Sequence, residues 1–157
     1  MILAPPELAL LVGLPGSGKS SFYRLHLAAT HALVSKDLMG SARDKNVRQA
    51  RQIAEALSAG RSVAADNTSL TPADRAPLLA LARLHHARAS AYFFDAPARD
   101  CQARNALREG RARVPEVAIW AMARRLVPPA FAEGFDAIFR VRLLSGGGFA
   151  VEEIKPG

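Results

Sequence analysis

A short apolar run, residues 8–12, empties without a spacer into Gly13-Leu14-Pro15-Gly16-Ser17-Gly18-Lys19-Ser20. A run of that length suits a fully buried strand, and the eight residues after it fill every fixed position of a G-x-x-x-x-G-K-[ST] phosphate-binding loop. Glycines belong there because the backbone must turn tightly and aim successive N–H groups at phosphate oxygens, with no side chain in the way. Gly13, Gly16, Ser17 and Gly18 therefore form the expected cradle. Lys19 is placed to reach the outer phosphates, and the Ser20 hydroxyl to ligate Mg²⁺. A helix starting near Lys19 turns the positive end of its dipole to the anion. The expected ligand is ATP or another nucleoside triphosphate, with Mg²⁺.

Everything else in the chain has to be compatible with that strand, loop and helix. At 157 residues it is sized for one domain with a real core. Residues 1–144 are expected to form it, with 145–157, including Gly146-Gly147-Gly148, as a loosely ordered tail. The formal charge of +7 and pI near 10.5 come from basic residues that are mostly arginine, which suits bidentate contact with a polyanion. Cys101 is the single cysteine, so an internal disulfide and a thiolate metal cluster are excluded. The first twelve residues lack a basic start and are cut by Pro5-Pro6, so neither a signal peptide nor a membrane span is expected. A cytoplasmic enzyme with no membrane association and no obligate protein partner is the default expectation.

In order, residues 20–29 read as a helix and 32–35 as a short strand ending at Lys36-Asp37. Val47, Ala50, Ile53, Ala54 and Leu57 recur at helical spacing, with Gly60 as the stop. Residues 62–66 form a third strand leading into Asp66-Asn67-Thr68, and Thr71-Pro72 opens a helix with Thr71 as N-cap. A fourth strand at 89–94 precedes a helix from Pro97 to about Arg108, then a basic loop at 110–114 and a helix from Pro115 to about Arg125. Residues 137–143 alternate like an edge strand with one wetted face. Alternating strands and helices predict an α/β P-loop fold with a parallel five-stranded sheet flanked by helices. Right-handed crossovers would put all strand ends on one edge, where the loop, Asp37 and Asp66 would gather.

Three segments together, Gly13 to Ser20 with Phe22-Tyr23-Arg24, Ser35-Lys36-Asp37-Leu38-Met39-Gly40-Ser41, and Ala65-Asp66-Asn67-Thr68, resemble the kinase domain of 5′-hydroxyl polynucleotide kinases. The resemblance runs on through Phe94, Asn105, Arg108-Glu109 and Ala132-Glu133-Gly134-Phe135-Asp136-Ala137-Ile138. It implies that Lys19 and Ser20 hold phosphates and Mg²⁺, and that Asp37 is the general base taking the proton of a nucleic acid's 5′-hydroxyl. Lys36 would contact the acceptor, and Asp66 would stand near the metal. It also implies an arginine-bearing lid, with Arg108 first and Arg104 second as the residue meeting transferred charge. The spacing of Arg104, Arg108 and Arg111 would stack them on one face if the helix continues. Blander roles are an N-cap or surface ion pair for Asp37, an Asx-turn for Asp66 and a solvated basic face for the arginines.

Two positions depart from the family pattern. Some members carry an arginine where this chain has Gly40, and another where it has Ala106. Trp120 is expected to pack in the core or lid, His85-His86 to end a helix, and Cys101 to be a buried small residue. The leading expectation is ATP-dependent phosphorylation of the 5′-hydroxyl end of DNA or RNA. The alternatives are a kinase for a small hydroxyl compound, such as a sugar, nucleotide-sugar or antibiotic, and a nucleotide-dependent switch without transfer.

Overall fold

The computed structural model describes residues 4–39 and 43–157, with only the backbone at Asp37 and Arg111. Strand β1 (Glu7–Val12) leads through the glycine loop into α1 (Lys19–Phe22), which widens at once into a π-turn, Tyr23–Leu27. The expected helix over 20–29 is thus real in place but changes pitch, with the Ala28 N–H bonding to the Tyr23 carbonyl at 2.8 Å. The Tyr23 hydroxyl donates to the His31 carbonyl at 2.6 Å and ties this segment to the next strand.

After β2 (His31–Val34) comes a 3₁₀ turn, Lys36–Met39, then α2 (Lys45–Ser58) and β3 (Ser62–Asp66). Next are α3 (Pro72–Leu84), β4 (Arg88–Phe94), α4 (Ala98–Ala106), α5 (Glu116–Arg125), β5 (Ala137–Leu143) and β6 (Phe149–Ile154). The start of α3 follows its sequence closely. The Thr71 hydroxyl accepts from the Asp74 N–H at 3.1 Å, and the Asp74 carboxylate accepts from the Thr71 N–H at 3.2 Å, a complete capping box.

The strands form one sheet in the order β2-β3-β1-β4-β5-β6, parallel except for β6. Alternation along β1 divides the core. Leu8, Leu10 and Val12 face α2 and α3, whereas Ala9 and Leu11 face Phe22 and Leu27. Because β1–β5 are parallel, their C-terminal ends share one edge. No helix among the described residues is long and apolar enough to cross a membrane.

The sheet has six strands where five are expected, and the difference lies in the segment expected to be loose. Residues 149–154 pair antiparallel with β5 in the register Ile138↔Ile154 to Leu143↔Phe149. The run Gly146-Gly147-Gly148 is the hairpin turn, with Gly147 and Gly148 at φ 88° and 76°. Read alone, the glycines suggest a frayed end. Against the edge of β5 they turn the chain back onto open backbone hydrogen-bonding groups.

At the N-terminal end of the central strand β1, Glu7 accepts from His31 Nε2 and from the Ser90 hydroxyl, each at 2.7 Å. Burial pushes the Glu7 carboxyl up, but those two hydrogen bonds and the charges of His31 and Arg88 together hold it below its ordinary value of 4.5. A lowered carboxyl contributes stability at neutral pH that is lost as pH falls through its folded-state value. Glu7→Gln is therefore expected to flatten the fall of melting temperature between about pH 5 and pH 3. A variant whose acid limb parallels the parent's would show that Glu7 does not carry it.

Candidate phosphate-binding and transfer site

The loop of residues 13–18 is held in shape from three sides. Its first N–H, at Gly13, donates to the Thr68 carbonyl at 3.1 Å and joins it to the segment after β3. Inside the loop, Ser17 N–H donates to the Leu14 carbonyl at 3.1 Å, and Lys19 Nζ donates to the Gly13 carbonyl at 2.7 Å. Gly16 and Gly18 take φ values of 82° and 104°, which L side chains resist. The Ser17 hydroxyl is buried with no hydrogen-bond partner among the described residues. A tight turn with two left-handed glycines, an orphaned hydroxyl and an ammonium over its first carbonyl suits a phosphate chain.

From the third side α4 presses on the loop. A Cβ on Gly16 would collide with the Cys101 carbonyl oxygen, and Arg104 Nε donates to the Gly16 carbonyl. Gly16→Ala is expected to cost about 1–3 kcal/mol of stability through backbone strain, and more in nucleotide affinity. Urea unfolding and nucleotide titration would measure the two. Cys101 is fully buried, and burial pushes its thiol up despite Arg104 nearby, so it behaves as a small core residue.

Ser20 Oγ donates to Asp66 Oδ2 at 3.3 Å, so the residue after the loop lysine meets the end of β3. Both are hard oxygen donors, a set that fits Mg²⁺ completed by phosphate oxygens. Among the described residues no group of three or more His, Cys, Asp or Glu side chains could hold a metal alone. Lys36 and Asp37 occupy the 3₁₀ turn beyond β2, two strands from β1 in the sheet and on the same edge as the loop. The Asp37 carboxylate and Gly40 lie outside the described residues.

The arginines are arranged differently from the expected single stripe. Helix α4 stops at Ala106, Gly110 takes φ 60°, and Gly110–Ala112 is a 3₁₀ turn. The reason is Asn105, 1% exposed, whose side-chain amide donates to the Val114 carbonyl while its oxygen accepts from the Val114 N–H at 2.8 Å. That clamp folds residues 107–113 into a loop and ends the helical stacking. Arg104 meets the phosphate loop, Arg108 Nη1 donates to the Ala112 carbonyl at 3.3 Å, and the Arg111 side chain lies outside the described residues. On α5 it is Ile119 that is fully buried, while Trp120 is 39% exposed, outside the buried core.

Two supports of the site lack any local signature. The Phe149 ring on β6 stacks edge-on against Phe22 and stands where a Cβ on Gly18 would approach it to 3.0 Å. Arg75, with no exposed surface, forks onto Glu133 at 2.8 and 2.9 Å. Its third nitrogen donates to the Ser69 and Val127 carbonyls at 2.8 and 3.0 Å. That guanidinium fastens the segment after Asp66 to the end of α5 and to the turn Phe131–Glu133.

With this geometry established, known proteins place the chain. A family model described as an AAA domain matches residues 8–129. The structure of a Pnkp1/Rnl/Hen1 complex is similar at 23% identity and a TM-score of 0.58, over 66% of this chain and 40% of that one. Kti12 of Chaetomium thermophilum in complex with ADP-AlF3 is 17% identical at a TM-score of 0.67, covering 86% and 88% of the two chains. A gluconokinase from Sinorhizobium meliloti 1021 is 18% identical at a TM-score of 0.63, covering 89% and 84%. At these identities the likeness is one of fold.

Proposed function

We propose, for a chain that belongs to the AAA domain family and has a P-loop kinase-like fold, that it transfers the γ-phosphate of ATP to the 5′-hydroxyl end of a polynucleotide. The observation that carries the reading is the position of Lys36-Asp37. They form a turn at the C-terminal end of β2, on the sheet edge that also holds the phosphate loop. A donor site and a candidate base beside an acceptor site thus open on one cleft edge. The surplus of +7, largely arginine, suits an acceptor that brings its own phosphates. The fold likeness to a complex containing Pnkp1 agrees with it.

In this reading the backbone N–H groups of residues 13–18 and Lys19 hold the triphosphate. Ser20 and Asp66 would hold Mg²⁺, which when bound neutralises charge on the phosphate oxygens. Asp37 accepts the hydroxyl proton as the acceptor oxygen bonds to the γ-phosphorus and the bond to the β-phosphate oxygen breaks, releasing ADP. Arg104, already on the Gly16 carbonyl, would stand beside the phosphates. Arg108 belongs to the loop that would close over them and meet the charge of transfer.

A second reading, a kinase for a small hydroxyl compound, is favoured by the gluconokinase likeness, which spans more of both chains. The two separate on acceptor preference. With γ-labelled ATP and a panel of 5′-hydroxyl oligonucleotides, sugars and nucleosides, the proposal expects label on oligonucleotides and an acceptor KM that climbs with salt. Faster turnover of a neutral sugar, with a salt-independent KM, would transfer the assignment to the small-molecule kinase.

A further inference from the structure

The outer face of α2 carries a groove of about 510 Å³, lined by Arg43, Arg48 and Arg51 together with Asp44, Val47, Gln52 and Glu55. Arg48 and Arg51 lie one turn apart on the face opposite Ile53 and Leu57, which are buried against the sheet. None of the ion pairs among the described residues involves any of the three arginines, although two carboxylates share the groove. Three guanidinium groups against two carboxylates leave the groove a net positive charge, and an anion placed in it is attracted by that surplus. Val47, 58% exposed beside them, offers an apolar contact in a surface otherwise polar or charged.

The groove's place in the fold says which anion. Strands β2 and β3 are parallel, so α2 starts at the edge that holds Lys36-Asp37 and runs back from it. Met39, the last residue of the 3₁₀ turn, packs into the same core cluster as Ile53 and Leu57 of α2, so turn and helix form one unit. Arg43 and Arg48 are at the near end of α2, and Arg51 is about 4.5 Å farther along the axis from Arg48 at 1.5 Å per residue. A ligand that reacts at the turn and carries charge away from it at regular intervals fits this track. A single phosphate or a neutral sugar would leave most of it unused.

We infer that the Arg43–Arg48–Arg51 groove is the track for the acceptor's backbone, binding successive phosphates of a single-stranded nucleic acid whose 5′ end lies at the turn holding Asp37. This rests on the transfer reading above and names the residues that would make its acceptor a polynucleotide. The nucleic acid is recognised through phosphate and not base sequence, because guanidinium groups on an open helix face read charge and spacing.

The test is fluorescence anisotropy with a short 5′-hydroxyl oligonucleotide labelled at its 3′ end, titrated without ATP over a range of salt. Arg48→Ala/Arg51→Ala removes two contacts, so the slope of log affinity against log salt should fall by about 1.4, at about 0.7 per single-strand phosphate. ATP affinity and the circular dichroism spectrum should match the parent's, since both side chains are exposed. Arg48→Lys/Arg51→Lys keeps the charge and should restore the slope. An unchanged slope and affinity in the alanine variant, or no oligonucleotide binding by the parent, overturns the groove assignment. Phosphorylation of the same oligonucleotide, assayed alongside, keeps the two conclusions apart. A parent that phosphorylates it with an unaffected alanine variant loses only the groove. A parent that binds it through these arginines without phosphorylating it loses only the transfer reading.

Discussion

Asp37→Asn is expected to lower phosphoryl transfer by roughly 10²–10⁴-fold with ATP affinity close to the parent's. The substitution keeps the size of the side chain and its capacity to accept a hydrogen bond, and removes the capacity to take a proton. The residue sits on the turn after β2, two strands away from the phosphate loop, so its assigned partner is the acceptor and not the nucleotide. Metal ligation is assigned instead to the pair that meets at 3.3 Å, Ser20 and Asp66. The measurement is single-turnover transfer from γ-labelled ATP, with nucleotide affinity determined separately. Weakened ATP binding with unchanged turnover would place Asp37 with the metal, and an unaffected variant would leave the acceptor without its base.

The second large effect is structural. Arg75→Ala should destabilise the fold by about 3–5 kcal/mol, the usual result of removing one member of a buried ion pair. The guanidinium has no exposed surface and makes four hydrogen bonds, two to Glu133 and one each to the Ser69 and Val127 carbonyls. Truncation leaves a carboxylate and two carbonyls inside the protein with a void among them. The pair itself adds less than that figure, because bringing both charges out of water offsets much of their attraction. Arg75→Met combined with Glu133→Leu should therefore recover much of the loss, and a double-mutant cycle by urea denaturation measures it. A loss below about 1 kcal/mol for Arg75→Ala would mean that water replaces the guanidinium. The loop should suffer too, because Ser69 follows Thr68, whose carbonyl receives the Gly13 N–H.

What could be read from the sequence is what contiguous residues decide among themselves. The buried strand, the glycine loop, the start of helix at Lys19, the Thr71 cap with Asp74 and the limits of β5 are each set by a few neighbours. Alternating strand and helix patterns are enough to predict a parallel sheet, and a parallel sheet requires that Asp37, Asp66 and the loop share an edge. Tertiary structure decided the contacts whose partners lie far apart in the chain. Arg104 reaches the Gly16 carbonyl across 88 residues, Ser90 reaches Glu7 across 83, and Arg75 reaches Glu133 across 58. It also decided two places that local pattern left open. Asn105 closes on Val114 and shapes the loop that the sequence predicts at 110–114, and residues 149–154, expected to be loose, pair with the edge of β5. Local propensity is worth tenths of a kcal/mol per residue, whereas a buried amide left unsatisfied costs about 1–3 kcal/mol, and pairing along β5 forms several backbone hydrogen bonds at once, so the distant partner prevails.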